Sequence, residues 1–392
     1  MPRPESIITA VLLTALVAFG PLSTDTYLPA LPGLVHAFNT DVGHVQLTLS
    51  IFLSGFAVAQ LFVGPLSDRF GRRPVLITGL VLYIIATAVC AFSTTIGELI
   101  VARLFQAIGA CAGAVIGRAV VRDIYGVDSA KILAYMGTAM ATAPMVAPIL
   151  GGYLLVWYGW QSIFAVLFVF GVSLLVLVVR LLQETNVHKN PDAVNLSHMV
   201  ANYRQLLGQR LFIGYVLTNT FIFSGLFCFI SGSSFVLIDF LGVAPDNFGL
   251  FFGIVVLGYI IGTLTAGRLT RKLGVDRLIL VGCCVSLVSG VVMFGLASSG
   301  IVSIGAVIAP MFCFMIGVGL VMPNAMAGAI GPFSRMAGAA SALVGFMQMG
   351  TAALVSIGVA QLHDGTQVPM VSAIALMGLL GTISYLVLIR KS

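Results

Sequence analysis

Charge is almost absent from this chain along twelve apolar stretches, and that absence constrains the fold more than any motif does. Only 8% of its 392 residues are Asp, Glu, Lys or Arg, and 59% are hydrophobic. A soluble domain carries about 25% charged residues, so this composition cannot build a water-compatible surface. Each stretch is roughly 20 residues long, enough to cross a bilayer. In hydrocarbon the backbone must satisfy its own hydrogen bonds, which only helices or a closed barrel achieve. The stretches lack the alternation of barrel strands, which favours helices. The predicted fold is an all-α membrane protein with twelve transmembrane helices.

The basic residues sort to one side of this array. Of 19 Lys and Arg, all but Arg103 lie in the termini, in alternate loops or in the helix ends beside them. They are Arg3, the clusters within 69–73, 118–131, 180–210 and 268–277, Arg335, Arg390 and Lys391. The other loops, around Asp41, Thr95, Tyr158, Asp246, Gly300 and Asp364, carry none. This positive-inside asymmetry predicts cytoplasmic termini and an even number of spans. The net charge of +6 then reflects topology and not nucleic-acid binding. The six cysteines sit in apolar stretches and read as small hydrophobes. His36 and His44, with Asp41 between them, read as solvated loop residues, with a metal site as the alternative, and no metal or other cofactor is expected. No nucleophile–base pair or phosphate loop is visible, which argues against an enzyme. The first stretch has no small-residue cleavage site and reads as a retained helix, not a signal peptide.

Three places carry polar residues where a span should be apolar. Residues 64–74 read Gly-Pro-Leu-Ser-Asp-Arg-Phe-Gly-Arg-Arg-Pro, a charged hairpin between span two (45–63) and span three. Gly64 and Gly71 are expected to permit its turn. Span one (7–30) holds Asp25, the one carboxylate well inside a span. An embedded acid costs several kcal/mol unless paired or hydrated, which makes it a functional candidate. The alternative is a solvated helix end, if Pro29 and Pro32 end the span early. Span four holds Arg103, followed by Gln106 and Gly109. Arg103 and Asp25 each lie about six residues from the outer end of their spans, hence at similar depth at 1.5 Å per residue. Whether they touch is not readable from sequence.

The hairpin resembles the Gly-x-Leu-x-Asp-Arg-x-Gly-Arg-Arg/Lys signature between helices two and three of the major facilitator superfamily of transporters. Arg103, Gln106 and Gly109 resemble its fourth-helix signature. The span-one run Pro-Leu-Ser-Thr-Asp-Thr-Tyr-Leu-Pro-Ala-Leu-Pro resembles the Bcr/CflA branch of bicyclomycin and chloramphenicol exporters. The resemblance implies that Gly64, Asp68, Arg69, Gly71 and Arg72 form a conformational latch, with Asp68 holding two halves together on the cytoplasmic side. Plain topological charge is the alternative for the arginines. Span five (134–152) ends in Pro144, Pro148, Gly151 and Gly152, as the antiporter signature of the family does. Ala134, Ala143 and Ala147 stand where its glycines would be, and simple helix packing is the alternative.

Residues 183–209 form the only long polar segment, a linker between an N-terminal half (1–182) and a C-terminal half (210–392). Residues 64–71 align with 267–274 at an offset of 203, and Gly55 and Gly258 keep that offset. Both hairpins face one side, so the two six-helix halves should be related by a pseudo-two-fold axis along the membrane normal. Arg271 takes the place of Asp68 in the second copy. Phe223, Phe227, Phe312 and Met315 are candidates to line an apolar pocket, with lipid contact and packing as the alternative.

The expected function is proton-coupled efflux (drug:H+ antiport) of small, largely apolar compounds or antibiotics across a bacterial inner membrane by alternating access. Asp25, Arg103, Tyr27 and Gln106 would form the coupling site and cavity. The expected partners are the substrate, protons and the bilayer, with a monomeric protein. Export as opposed to uptake is implied by the resemblance. The alternatives are a proton-coupled transporter of a polar metabolite, an amino acid or sugar, and a transporter-like receptor that moves nothing.

Overall fold

The computed structural model of the chain describes residues 7–126, 129–187 and 189–390. Arg3 and Lys391 lie outside the described residues, as do the side chains of Lys131, Ala134 and Arg335. Helices account for nearly all of the described chain, with no strand among the described residues. In order they are α1 (Ile7–Asp25), α2 (Leu31–Ala37), α3 (Val42–Phe70), α4 (Arg72–Phe92), α5 (Ile96–Tyr125), α6 (Ser129–Tyr158) and α7 (Gln161–Leu181). The linker helix α8 (Leu196–Leu207) is followed by α9 (Arg210–Ser234), α10 (Pro245–Leu273) and α11 (Val275–Ser298). The chain ends with α12 (Ile304–Ile330), α13 (Ala337–Gln361) and α14 (Val368–Ser384). Among the described residues eleven segments are long and apolar enough to cross a membrane, and α6 adds a shorter apolar stretch, Thr142–Tyr158. The protein is a multi-pass membrane protein.

Helix ends follow local chemistry. Asp41 caps α3 by accepting from the His44 backbone N–H at 2.9 Å, and its other oxygen lies 2.6 Å from His44 Nδ1. Thr95 and Glu98 form a reciprocal capping box at the start of α5. The hairpin differs from expectation. Gly64 lies within α3, which runs through Pro65 to Phe70, and only Gly71 turns the chain, at φ 108°. Gly274, 203 residues on, does the same at φ 82°.

Span one also differs. Instead of ending near residue 30, it breaks at Asp25, passes through a short turn of 3-10 helix at Leu28–Ala30, and resumes as α2 to Ala37. Pro29 and Pro32 sit second in these two pieces, within the first turn, where a missing N–H costs nothing. Asp25 therefore lies at a helix break about twelve residues from the end of its span, not five to seven.

The repeat is visible in packing. A Cβ added at Gly79 would meet the Gly109 carbonyl at 3.2 Å, and one at Gly282 would meet the Gly317 carbonyl at 2.8 Å. Both glycine pairs bring the third span of six against the fourth, α4 on α5 and α11 on α12. Gly55 packs likewise on the Leu104 carbonyl and Gly258 on the Phe312 carbonyl. Two seams join the first seven helices to the later ones. On one, α6 meets α10 at the end away from the hairpins: Gly152 lies against the Pro245 carbonyl and Gly249 against the Ile149 backbone. On the other, α3 meets α9 and α13, where Gln46 Nε2 donates to the Ser231 carbonyl at 3.2 Å and Gly345 lies against the Gln60 amide.

Candidate functional site

The break between α1 and α2 points Asp25 into a cavity of about 280 Å³ enclosed by α1, α3, α6, α9, α10, α12 and α13. Phe52, Phe56, Phe223, Phe227 and Phe252 form much of the wall, with Met140, Met315, Met322 and Met349. Unbranched, polarizable methionines and flat rings adapt to ligands of different shape. Asp25 is the one charged side chain in the lining, and only 3% of it is exposed. Its carboxylate accepts from Thr24 Oγ1 at 3.0 Å.

Asp25 and Arg103 form no ion pair. Arg103 is fully buried behind the cavity wall, with its guanidinium 4.4 Å from the Phe52 ring and 4.9 Å from the Tyr27 ring. Its Nη1 donates to the Ser23 carbonyl at 3.1 Å and to Gln106 Oε1 at 2.6 Å, while Nε and Nη2 have no partner. Gln106 Nε2 in turn donates to Thr87 Oγ1 at 2.8 Å, and the Tyr27 and Thr48 hydroxyls are 3.0 Å apart. Of the four residues expected to share one cavity, Asp25 alone faces it. The other three form a polar cluster behind Phe52, because the break after Asp25 turns Tyr27 away from the lining.

Phe223, Phe227 and Met315 line the cavity as expected, but Phe312 does not. Its backbone carbonyl lies against Gly258 of α10. Sequence reasoning missed Phe52, Phe56, Met322 and Met349. The spacing of Phe52 and Phe56, and of Met315 and Met322, places each pair on one helical face, a signal that was available.

In span five, Pro144 lines the cavity and Pro148 is buried. Gly151 lets α6 lie directly on the Thr26 backbone, beside Asp25, and Gly152 lets it meet α10. These glycines serve close packing around the break that carries Asp25.

The hairpin is clipped to the linker. Arg72 pairs with Asp68 and with Asp123, the latter at 3.1 Å. Glu184 accepts from the backbone N–H groups of Arg72 and Arg73 at 2.9 and 3.1 Å, at the positive end of α4. Gly71 leaves room for that carboxylate, which a Cβ would strike. Asn186 Nδ2 and the Asn190 N–H donate to the Asp68 carbonyl. Asp68 thus bonds within its own hairpin and to the linker, and none of these bonds reaches α9–α14. Arg69 lies over Phe70. The latch expected between halves is, in this structure, a clip on the linker.

The sequence pattern described as Major Facilitator Superfamily matches residues 11–357. The chain is 32% identical to an uncharacterized MFS-type transporter, YdgK, of Bacillus subtilis, across 99% of this chain and 96% of that protein. It is 28% identical to a bicyclomycin resistance protein homolog of Haemophilus influenzae (98% and 96% covered) and 29% identical to multidrug resistance protein D of Escherichia coli (100% and 98%). Among solved structures, a D-xylose-proton symporter superposes with a TM-score of 0.74 at 16% identity, covering 98% of each chain. With the fold of a solved transporter and a sequence match spanning most of its length, this chain belongs to the Major Facilitator Superfamily.

Proposed function

We propose that the protein exports small, largely apolar compounds, antibiotics among them, across a bacterial inner membrane in exchange for protons. The observation that carries this reading is the cavity itself: a wall of phenylalanine and methionine with one embedded carboxylate. Few lining groups offer hydrogen bonds, chiefly Thr24, Asp25 and Tyr259, which disfavours a sugar or amino acid that would need many. The drug-resistance names of the relatives support export. Two six-helix halves, 1–182 and 210–392, rock about the cavity while the linker 183–209 and both termini stay in the cytoplasm, as the Lys and Arg asymmetry requires. Asp25 alternates between proton and substrate, and the protein works as a monomer without catalytic chemistry of its own. The test is uphill movement of chloramphenicol or an apolar cation in proteoliposomes under an imposed proton gradient. Binding without any flux would point to a receptor and overturn the reading.

The hairpin clip yields a second expectation. Asp68→Asn weakens the bond to Arg72 and is expected to slow efflux about tenfold, the worth of one charge-assisted hydrogen bond. Substrate affinity should stay within about twofold, because the residue is remote from the cavity. The side chain of Arg271, its counterpart in the repeat, makes no ion pair among the described residues, so Arg271→Asn should transport at near the wild-type rate. Initial rates and binding isotherms for the two variants check this. Equal losses would remove the asymmetry on which the expectation rests.

A further inference from the structure

Three buried amides, each within one helical turn of a residue that lines the cavity, leave hydrogen-bonding groups unsatisfied. Asn219 of α9 is 1% exposed, and both its Nδ2 and its Oδ1 lack a partner. Gln60 Oε1 of α3 and Gln348 Nε2 of α13 are likewise buried without a partner. Asn324 of α12 shows the ordinary alternative: its Nδ2 donates to the Leu320 carbonyl at 2.8 Å and its Oδ1 accepts from Thr270. A buried polar group left unpaired is expensive, and an occupant reaching past Phe56, Phe223 and Met349 would meet these three.

Their placement is coherent. Gln60 follows the cavity-lining Phe56 by one turn of α3, and Asn219 precedes the cavity-lining Phe223 by one turn of α9. Gln348 adjoins the cavity-lining Met349, and Gly345, one turn earlier on α13, lies against the Gln60 amide. Counted from the hairpin ends of their helices, all three lie about 14–17 Å deep at 1.5 Å per residue. The halves contribute unequally, one amide from α3 and two from α9 and α13.

We propose that Gln60, Asn219 and Gln348 form a polar subsite that takes the amide or hydroxyl end of a neutral amphiphilic substrate. The apolar body of that substrate lies among the phenylalanines and methionines above. Water satisfies the amides in the empty protein, and the substrate's donors and acceptors replace it. The inference rests on reading the cavity as the substrate site. It adds a class of substrate: elongated molecules, apolar along most of their length and polar but uncharged at one end.

The test uses two probes on the purified full-length protein. Chloramphenicol is neutral and carries an amide and two hydroxyls; tetraphenylphosphonium is an apolar cation with no hydrogen-bonding group. Asn219→Leu and Gln348→Met keep the shape and remove the amide. Each is expected to weaken chloramphenicol binding about tenfold, measured by calorimetry. Tetraphenylphosphonium binding should stay within about twofold, which also reports an intact cavity. Unchanged chloramphenicol binding, or equal loss of both probes, overturns the subsite alone. So does a wild-type protein that binds only the cation. A wild-type protein that binds neither probe overturns the drug-export reading together with the subsite.

Discussion

Asp25→Asn is expected to collapse proton-driven efflux to the level of passive leak while leaving the protein folded and abundant. Asn keeps the shape of the side chain and can still accept from Thr24 Oγ1, whose bond to the carboxylate is 3.0 Å. A neutral amide is also cheaper to bury than a carboxylate, so thermal stability should hold or rise. What disappears is the one carboxylate in the cavity wall. Substrate binding should survive for neutral compounds and lose its dependence on pH, because no proton then competes at the site. Efflux in proteoliposomes, beside binding measured across pH in detergent, separates the two consequences. A variant that still drives substrate uphill at a near-normal rate would relocate the coupling group away from the α1 break.

The second large effect concerns stability. Gly151→Val is expected to lower the melting temperature sharply and to abolish transport. A Cβ at this position would strike the Thr26 carbonyl oxygen and lie 2.8 Å from its carbon and 3.2 Å from its Cα. All three are backbone atoms, so no side chain can swing aside. Overpacking of this kind costs about 1–3 kcal/mol or more, and here it pushes α6 away from the break that positions Asp25. Gly358→Ala is the control: a Cβ there meets nothing within 4 Å. Helix propensity should make that change neutral or stabilising by up to ~1 kcal/mol. Thermal unfolding in detergent, with both variants beside wild type, reads the difference. A Gly151→Val protein as stable as wild type would mean that the seam between α1 and α6 is loose.

Much of this molecule was legible in the residues because the membrane leaves few solutions. Charge-poor stretches dictate the helices, and the offset between Gly55 and Gly258 marks the same close crossing in both copies. Asp25 and Arg103 do lie in the same region, since Arg103 bonds the Ser23 carbonyl two residues from Asp25, but the depth count for span one was short because that span runs on to Ala37. It did not give the contact. A guanidinium can be held by neutral acceptors and ring faces as well as by an acid, and depth does not distinguish them. The break after Asp25 was hidden because Pro29 and Pro32 are compatible both with ending a span and with restarting one. Gly64 was misread for a related reason: a glycine within a helix and one at a turn look alike in sequence. Phe312 is expected in the cavity by residue type, but Met315, three positions on, lines it and Phe312 does not, because which face of α12 meets the cavity depends on how α12 packs on its neighbours.

The clip between hairpin and linker fixes how far the machine can travel. Asn190 is tied to the Asp68 carbonyl on one side, and α8, which begins at Leu196, packs against α9 and α13 on the other. Between these anchors run residues 191–195, including a turn of 3-10 helix at Pro191–Val194. The six steps from Asn190 to Leu196, pulled straight, span at most about 21 Å. If the halves rock as proposed, that leash caps their separation at the linked ends as long as the clip holds, and the stroke is written into its length.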